Sequence, residues 1–276
     1  MIDQWGVGHE PSPNSMHMTY MRHPLENAET LEELEAYPYP DFAGGSRDHQ
    51  KEQVRRVKEQ DLIALGDMQM TIWEIAWYLR GMEELFCDMM EENDMAVFMF
   101  DKALEMAKVR AKAYAEAGVD VLFFGDDIGM QHTIMMSENL YCTWIKLRLK
   151  ELITFVKEIN PELIIFYHSC GYIEPLIPHL IDAGIDVLNP IQSECMDFEE
   201  IYKKYGDRIS FHGTIGTQTV MPHGTPEEVK KEVWKNLDIA GEKGGHLVAP
   251  THMLEPEVPN VLAYVEACRE YGGKKK

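Results

Sequence analysis

The stretch "LIIFYHSCG", residues 163–171, decides how this chain is read. Leu163 to Tyr167 reads as a buried strand, yet it runs straight into His168, Ser169 and Cys170 before Gly171 stops it. Side chains at i and i+2 share one face of a strand. His168 and Cys170 are therefore expected side by side just past the strand's end. Three readings stand open for them: a metal pair, a nucleophile with its base, or two ordinary residues beside a turn.

Outward from this stretch, short apolar runs alternate with helical segments. The other strand candidates are residues 62–65, 119–124, 185–188, 209–211 and 246–249, and helices are expected at about 70–115, 137–158, 173–183, 197–205, 226–241 and 257–271. The helix at 226 has Thr225 to cap it, Pro226 in its first position and Glu228 to complete a capping box. Residues 1–50 form an irregular extension containing one short acidic helix capped by Thr30, followed by a polar helix over 48–60. Strand–helix alternation predicts a parallel sheet with helices packed on it.

Polar, ionisable or glycine residues follow every strand candidate: Gly66-Asp67, Gly125-Asp126-Asp127, His168 to Gly171, Asn189 to Gln192, His212 to Thr214, and Pro250 to His252. That asymmetry is expected of an α/β (β/α)₈ barrel of the TIM type, whose site is built from the loops after its strands. A doubly wound sheet shares the asymmetry, but no Gly-rich dinucleotide fingerprint follows any strand, and "GEKGGH" precedes one. Six strands are counted where a full barrel has eight, so the barrel is expected to be incomplete or rearranged at its start.

The balance of 47 acidic against 26 basic residues, a formal charge of −21, argues against nucleic acid or an anionic membrane as partner. Five scattered cysteines show no disulfide framework, no apolar run approaches a membrane span, and the first residues lack a leader pattern. A cytoplasmic protein is expected.

Thiolate and neutral imidazole are both good zinc ligands, and a catalytic zinc keeps three protein ligands and an open position. For His168 and Cys170 the third is expected to be His252, which ends a later strand, with Cys195 as competitor. Asp126 and Asp127 are adjacent, so at most one points into the site while the chain stays extended. The roles open to that one are general base, substrate contact or partner of a metal-ligating His, and the alternative reading is an acid that only complements the dipole of the next helix. Gln131, Gln192, His212 and Gln218 suit an uncharged polar substrate, and Met130, Met135 and Met136 an apolar one.

The stretches "HPLENAETLEELEAYPYPDF", "WEIAWYLRGMEELFCDMM", "VLFFGDDIGMQ", "HSCGYIEPLIPHLIDAGIDVLNPIQ", "FHGTIGTQTVMPHGTPEEV" and "GGHLVAPTHMLEPEVPNVLAYVEACREYG" resemble the uroporphyrinogen decarboxylase superfamily, which includes corrinoid-dependent methyltransferases. The resemblance runs through nearly the whole of 1–276 and implies a single TIM-type domain with its site at the C-terminal ends of the strands. The family's Arg-containing first strand has no counterpart here, and none of the nine arginines directly follows a strand candidate. Tetrapyrrole decarboxylation is therefore the second expectation.

Zinc methyltransferases of the superfamily carry an H-x-C motif and a later Cys; His168 and Cys170 match the first two positions, and His252 stands at the third. The resemblance thus implies a Zn²⁺ site, a small methylated or methoxylated substrate demethylated by the enzyme, and a corrinoid on a partner protein as acceptor. Asp126, Asp127 and His212 take catalytic roles in this expectation, with Met130, Gln131 and Gln192 binding substrate. A homodimer is expected to cover the open seam, and a non-catalytic barrel subunit is the third expectation.

Overall fold

The computed structural model describes residues 1–12, 19–44, 46–241, 243–253 and 258–274. The chain divides into two compact units, Met1–Asp126 with Ser137–Leu163, and Asp127–Met136 with Ile164–Lys276.

The first unit opens on an antiparallel ribbon, β1 (Gly8–Pro11) and β2 (Thr19–Arg22), which no periodicity in the sequence signals. Helix α1 (Leu31–Glu35) has the expected Thr30 cap, completed as a capping box by Glu33, and α2 (Asp48–Lys58) follows. Strand β3 (Leu65–Met68) lies three residues beyond the predicted 62–65. Its bounds are set by its partner rather than by its own apolarity. Asp120 holds Ala64 through both its side chain and its backbone N–H, and parallel pairing starts at Leu65 opposite Val121. Leu62 and Ile63 are left exposed, and Gly66 and Asp67 fall inside the strand.

The helical stretch expected over 70–115 is three helices, α3 (Trp73–Arg80), α4 (Met82–Glu91) and α5 (Asp94–Ala117). Gly81, at φ +89°, breaks the first junction, and Asn93 caps α5 at the second. Ala96, Met99, Phe100, Ala103, Leu104, Ala107 and Ala111 of α5 are buried at helical spacing. They form the spine of this unit. Phe100 stacks on Trp144, and Trp73 lies beyond it. Buried Arg80 donates to Asp88 and to the carbonyls of Leu25 and Ala28, tying the segment before α1 onto α3. Strand β4 (Val121–Gly125) and helices α6 (Glu138–Tyr141) and α7 (Leu147–Ile159), linked by a π-helical turn at Cys142–Lys146, complete the unit.

The second unit is a four-stranded parallel array with its helices: β5 (Ile164–His168), α8 (Ile177–Ala183), β6 (Val187–Asn189), α9 (Phe198–Tyr205), β7 (Ser210–His212), α10 (Val220–His223), α11 (Pro226–Ala240), β8 (His246–Leu247) and α12 (Val258–Lys274). The register pairs His168 with Asn189, Leu188 with Phe211, and Phe211 with His246. Ile165, Tyr167, Leu188 and Phe211 are fully buried, while the last residues of β5, β6 and β7 are His168, Asn189 and His212. Thr225 and Glu228 form the predicted capping box on α11, whose Val229 and Val233 pack against Ala263 and Ala267 of α12. Among the described residues no helix is long and apolar enough to cross a membrane.

Candidate metal centre

The pairing of His168 and Cys170 follows from strand geometry. His168 ends β5, the chain turns at Gly171 (φ +85°), and Cys170 Sγ lies 3.4 Å from His168 Nε2. Asp127 joins them: its Oδ1 accepts a hydrogen bond from the Cys170 backbone N–H at 2.7 Å and stands 3.6 Å from His168 Nε2. One donor atom from each of these three side chains lies within 4.8 Å of the other two, the single such group among the described residues.

Glycine makes this approach possible. A Cβ on Gly129 would lie 2.5 Å from the Cys170 carbonyl oxygen, and one on Gly171 would lie 2.7 Å from that of Met130. The loop 127–136 thus lies directly on the 169–172 turn. Tyr172 donates to the Met130 carbonyl, Ile128 donates to Ser169 Oγ, and Gln192 Oε1 accepts the Gly171 N–H.

The His168 ring is held from its other side. Its Nδ1 is 2.6 Å from Asn189 Oδ1, while Asn189 Nδ2 is 2.8 Å from His212 Nδ1. His212 is half-buried and packs edge-on against Phe166; burial, with His168 adding to it, pushes its pKa down.

The adjacent aspartates part company, as their alternation on an extended chain predicts. Asp126 is buried and accepts hydrogen bonds from the backbone N–H groups of Thr71, Ile72, Trp73 and Glu74. It caps α3, whose own Ile72 has no capping side chain, and so answers the orphan donors at that helix start. Burial raises its pKa to about 6, against the pull of those N–H groups. The helix it complements is the one before it in sequence, not the next.

The remaining expected site residues are dispersed. Gln131 is exposed and lies 3.4 Å from Gln218, Met130 exposes about half its surface (53%), and buried Gln192 is engaged with Gly171. His252 is exposed and stands outside the Asp127–His168–Cys170 group, and so does Cys195, whose thiol burial pushes up. Asn189 had no role assigned from sequence. Its signal was a neutral amide ending an otherwise apolar strand.

The donor set suits zinc. With bonds of about 2.0–2.3 Å and tetrahedral angles, neighbouring ligand atoms are roughly 3.4–3.6 Å apart. The His–Cys and His–Asp separations of 3.4 and 3.6 Å match, and nitrogen, sulfur and oxygen are all accepted by that ion.

Parallel strands with polar groups at their C-terminal ends, six of them among the described residues, give an α/β fold of the TIM-barrel type. The chain belongs to the uroporphyrinogen decarboxylase (URO-D) family, whose profile matches residues 6–271. It is 27% identical over 206 residues to methylated-thiol–coenzyme M methyltransferase of Methanosarcina mazei, a match covering 71% of this chain and 50% of that protein. The chain thus spans about half the length of this curated relative. Its fold is similar to that of a solved methyltransferase from Methanosarcina mazei, at a TM-score of 0.75 and 20% identity over 97% of this chain and 76% of that one. Xylanase 10B from Thermotoga maritima is similar in fold alone, at a TM-score of 0.52 and 11% identity over 84% and 82% of the two chains.

Proposed function

We propose that this protein is a zinc-dependent methyltransferase, with Asp127, His168 and Cys170 as the metal ligands and the methyl group of a small methylated or methoxylated compound passing to a corrinoid carried by a partner protein. The observation that carries the reading is the gathering of the three donors within 4.8 Å of one another, with the His168–Cys170 and His168–Asp127 separations of 3.4 and 3.6 Å those of neighbouring ligands on one zinc ion. Similarity to methyltransferases within the family supports the reaction class.

Bound there, zinc supplies Lewis-acid polarisation of the atom that carries the methyl group. The chain's own residues do the positioning. Asn189 aims the His168 ring, the Cys170 N–H fixes one carboxylate oxygen of Asp127, and Gln192 holds the turn between them through Gly171. Met130, exposed on the loop bridged to Tyr172, offers apolar surface to a methyl-bearing group. Tetrapyrrole decarboxylation ranks second because Arg22, Arg55, Arg56, Arg80 and Arg148 are already paired with carboxylates of this chain. A substrate with many carboxylates needs such cations unpaired.

The test measures zinc content together with methyl transfer to cob(I)alamin from methylated thiols, methylamines and methoxylated aromatics, with uroporphyrinogen turnover in parallel. About one zinc per chain with methylcobalamin formation is expected. Porphyrinogen turnover without methyl transfer reverses the ranking. A protein that holds no zinc and performs neither reaction favours the reading as a non-catalytic binding subunit.

A further inference from the structure

We propose that Asn189 is a positioning residue that imposes opposite tautomers on the two imidazoles it bridges, Nδ1–H on His168 and Nε2–H on His212. The purpose assigned to this bridge rests on the metal reading above. One amide makes both contacts. Asn189 ends β6, beside His168 at the end of β5 in the strand register. Its side chain meets His168 Nδ1 at 2.6 Å through Oδ1 and His212 Nδ1 at 2.8 Å through Nδ2.

An amide oxygen only accepts and an amide nitrogen only donates. With Oδ1 on His168, the facing Nδ1 carries the proton, which leaves Nε2 with its lone pair turned toward Cys170 Sγ and Asp127 Oδ1. With Nδ2 on His212, the facing Nδ1 is the acceptor, so the proton of neutral His212 resides on Nε2. The amide orientation is independently fixed, because Nδ2 also donates to the His212 backbone carbonyl at 3.2 Å. An oxygen in that position would face another oxygen.

The surroundings leave the amide little freedom. Asn189 is buried, and a Cβ on Gly213 would lie 2.9 Å from Nδ2, so the absence of a side chain at that positive-φ position makes room for the bridge. Phe166 packs edge-on against the His212 ring, with centroids 5.2 Å apart. A metal-binding histidine whose second nitrogen donates to a fixed acceptor has its tautomer and ring orientation set in advance. Here the acceptor is a neutral amide whose other end sets a second histidine in the complementary state.

The experiment uses the full chain, ¹⁵N-labelled, metal-free and at a pH well above the ordinary imidazole pKa of about 6.5. Long-range ¹⁵N–¹H correlation spectra read the tautomer of each assigned histidine. The wild type is expected to show His168 protonated at Nδ1 and His212 at Nε2. In Asn189→Asp, which preserves shape, both facing atoms become acceptors. His212 should then gain a proton at Nδ1 while His168 keeps its own. Wild-type His168 protonated at Nε2, or His212 unchanged in Asn189→Asp, overturns the proposal, and the wild-type spectrum decides even if the variant fails to fold.

Chelator competition for zinc supplies the second readout. Asn189→Leu, lacking the acceptor, is expected to weaken zinc by roughly 10–100-fold, the usual cost of removing such an outer partner, and unchanged affinity counts against the bridge. A wild type with the expected tautomers but no zinc affinity ends the metal reading and leaves the bridge. Reversed tautomers with zinc bound end the bridge alone.

Discussion

Asp127 and Cys170 are joined backbone to side chain: the Cys170 N–H donates to Asp127 Oδ1 at 2.7 Å across 43 residues of sequence. This bond places a carboxylate beside a thiol without either side chain having to find the other. It also spends only one lone pair of the oxygen that stands 3.6 Å from His168 Nε2. The candidate site is thus assembled by two backbone turns pressed together.

That construction predicts an unusual sensitivity at Gly129. Its added Cβ would meet the Cys170 carbonyl oxygen at 2.5 Å and Ile173 Cγ2 at 2.8 Å. Gly129→Ala must push the two loops apart, at an expected cost of about 1–3 kcal/mol. Urea unfolding measures the loss of stability. Zinc titration of the still-folded fraction should show weaker binding, because separation of the loops carries Asp127 away from Cys170.

A second prediction concerns the first unit. Arg80 and Asp88 form an ion pair whose side chains are only 5% and 8% exposed, and Asp88 also accepts from Asn93 Nδ2. Asp88→Ala leaves the Arg80 guanidinium buried and partly uncompensated, with an expected loss of about 3–5 kcal/mol in urea unfolding. Replacing both partners by apolar residues of similar volume should cost far less, since desolvating the pair offsets much of its attraction.

The third prediction is a pH dependence. His246 has its pKa pushed down to about 4, first by burial and then by the nearby His212. The folded chain therefore binds fewer protons at this ring than the unfolded chain, whose imidazole titrates near 6.5. Stability from this group is fully present above about 6.5 and is lost as pH falls toward 4. The urea midpoint should decline over that window, and His246→Gln should flatten the decline. An unchanged slope would remove His246 from the acid sensitivity.

How much of this was legible in the sequence depended on the range of the interaction. The juxtaposition of His168 and Cys170 came from the two-residue period of a strand, and the caps at Thr30 and Thr225 from contacts three residues long. Of the adjacent aspartates the sequence shows only that at most one points into the site while the chain stays extended. Which one served a helix was decided by backbone N–H groups more than fifty residues earlier, at Thr71 to Glu74. Strand β3 was displaced because pairing to β4 overrides the apolarity of residues 62–63. Asn189 is not legible as functional in the sequence because an amide acquires its role only from the two rings the strands bring to it.

The last prediction separates the two ligand sets for the metal. The sequence points to His168, Cys170 and His252, whereas the three donors gathered within 4.8 Å are Asp127, His168 and Cys170. Both sets lose their metal when Cys170 becomes Ser, so that substitution tests the site without choosing between them. The choice falls to Asp127→Asn and His252→Ala. Asn preserves the shape of Asp127 and an oxygen to accept from the Cys170 N–H, but removes the anionic donor. With Asp127 as ligand, zinc affinity should fall by at least an order of magnitude in Asp127→Asn and stay near wild type in His252→Ala. The reverse pattern would return the third position to His252. Equal retention in both variants would leave His168 and Cys170 as the two protein ligands. Competition with a chromophoric chelator, at fixed pH because all these donors compete with protons, resolves the three outcomes.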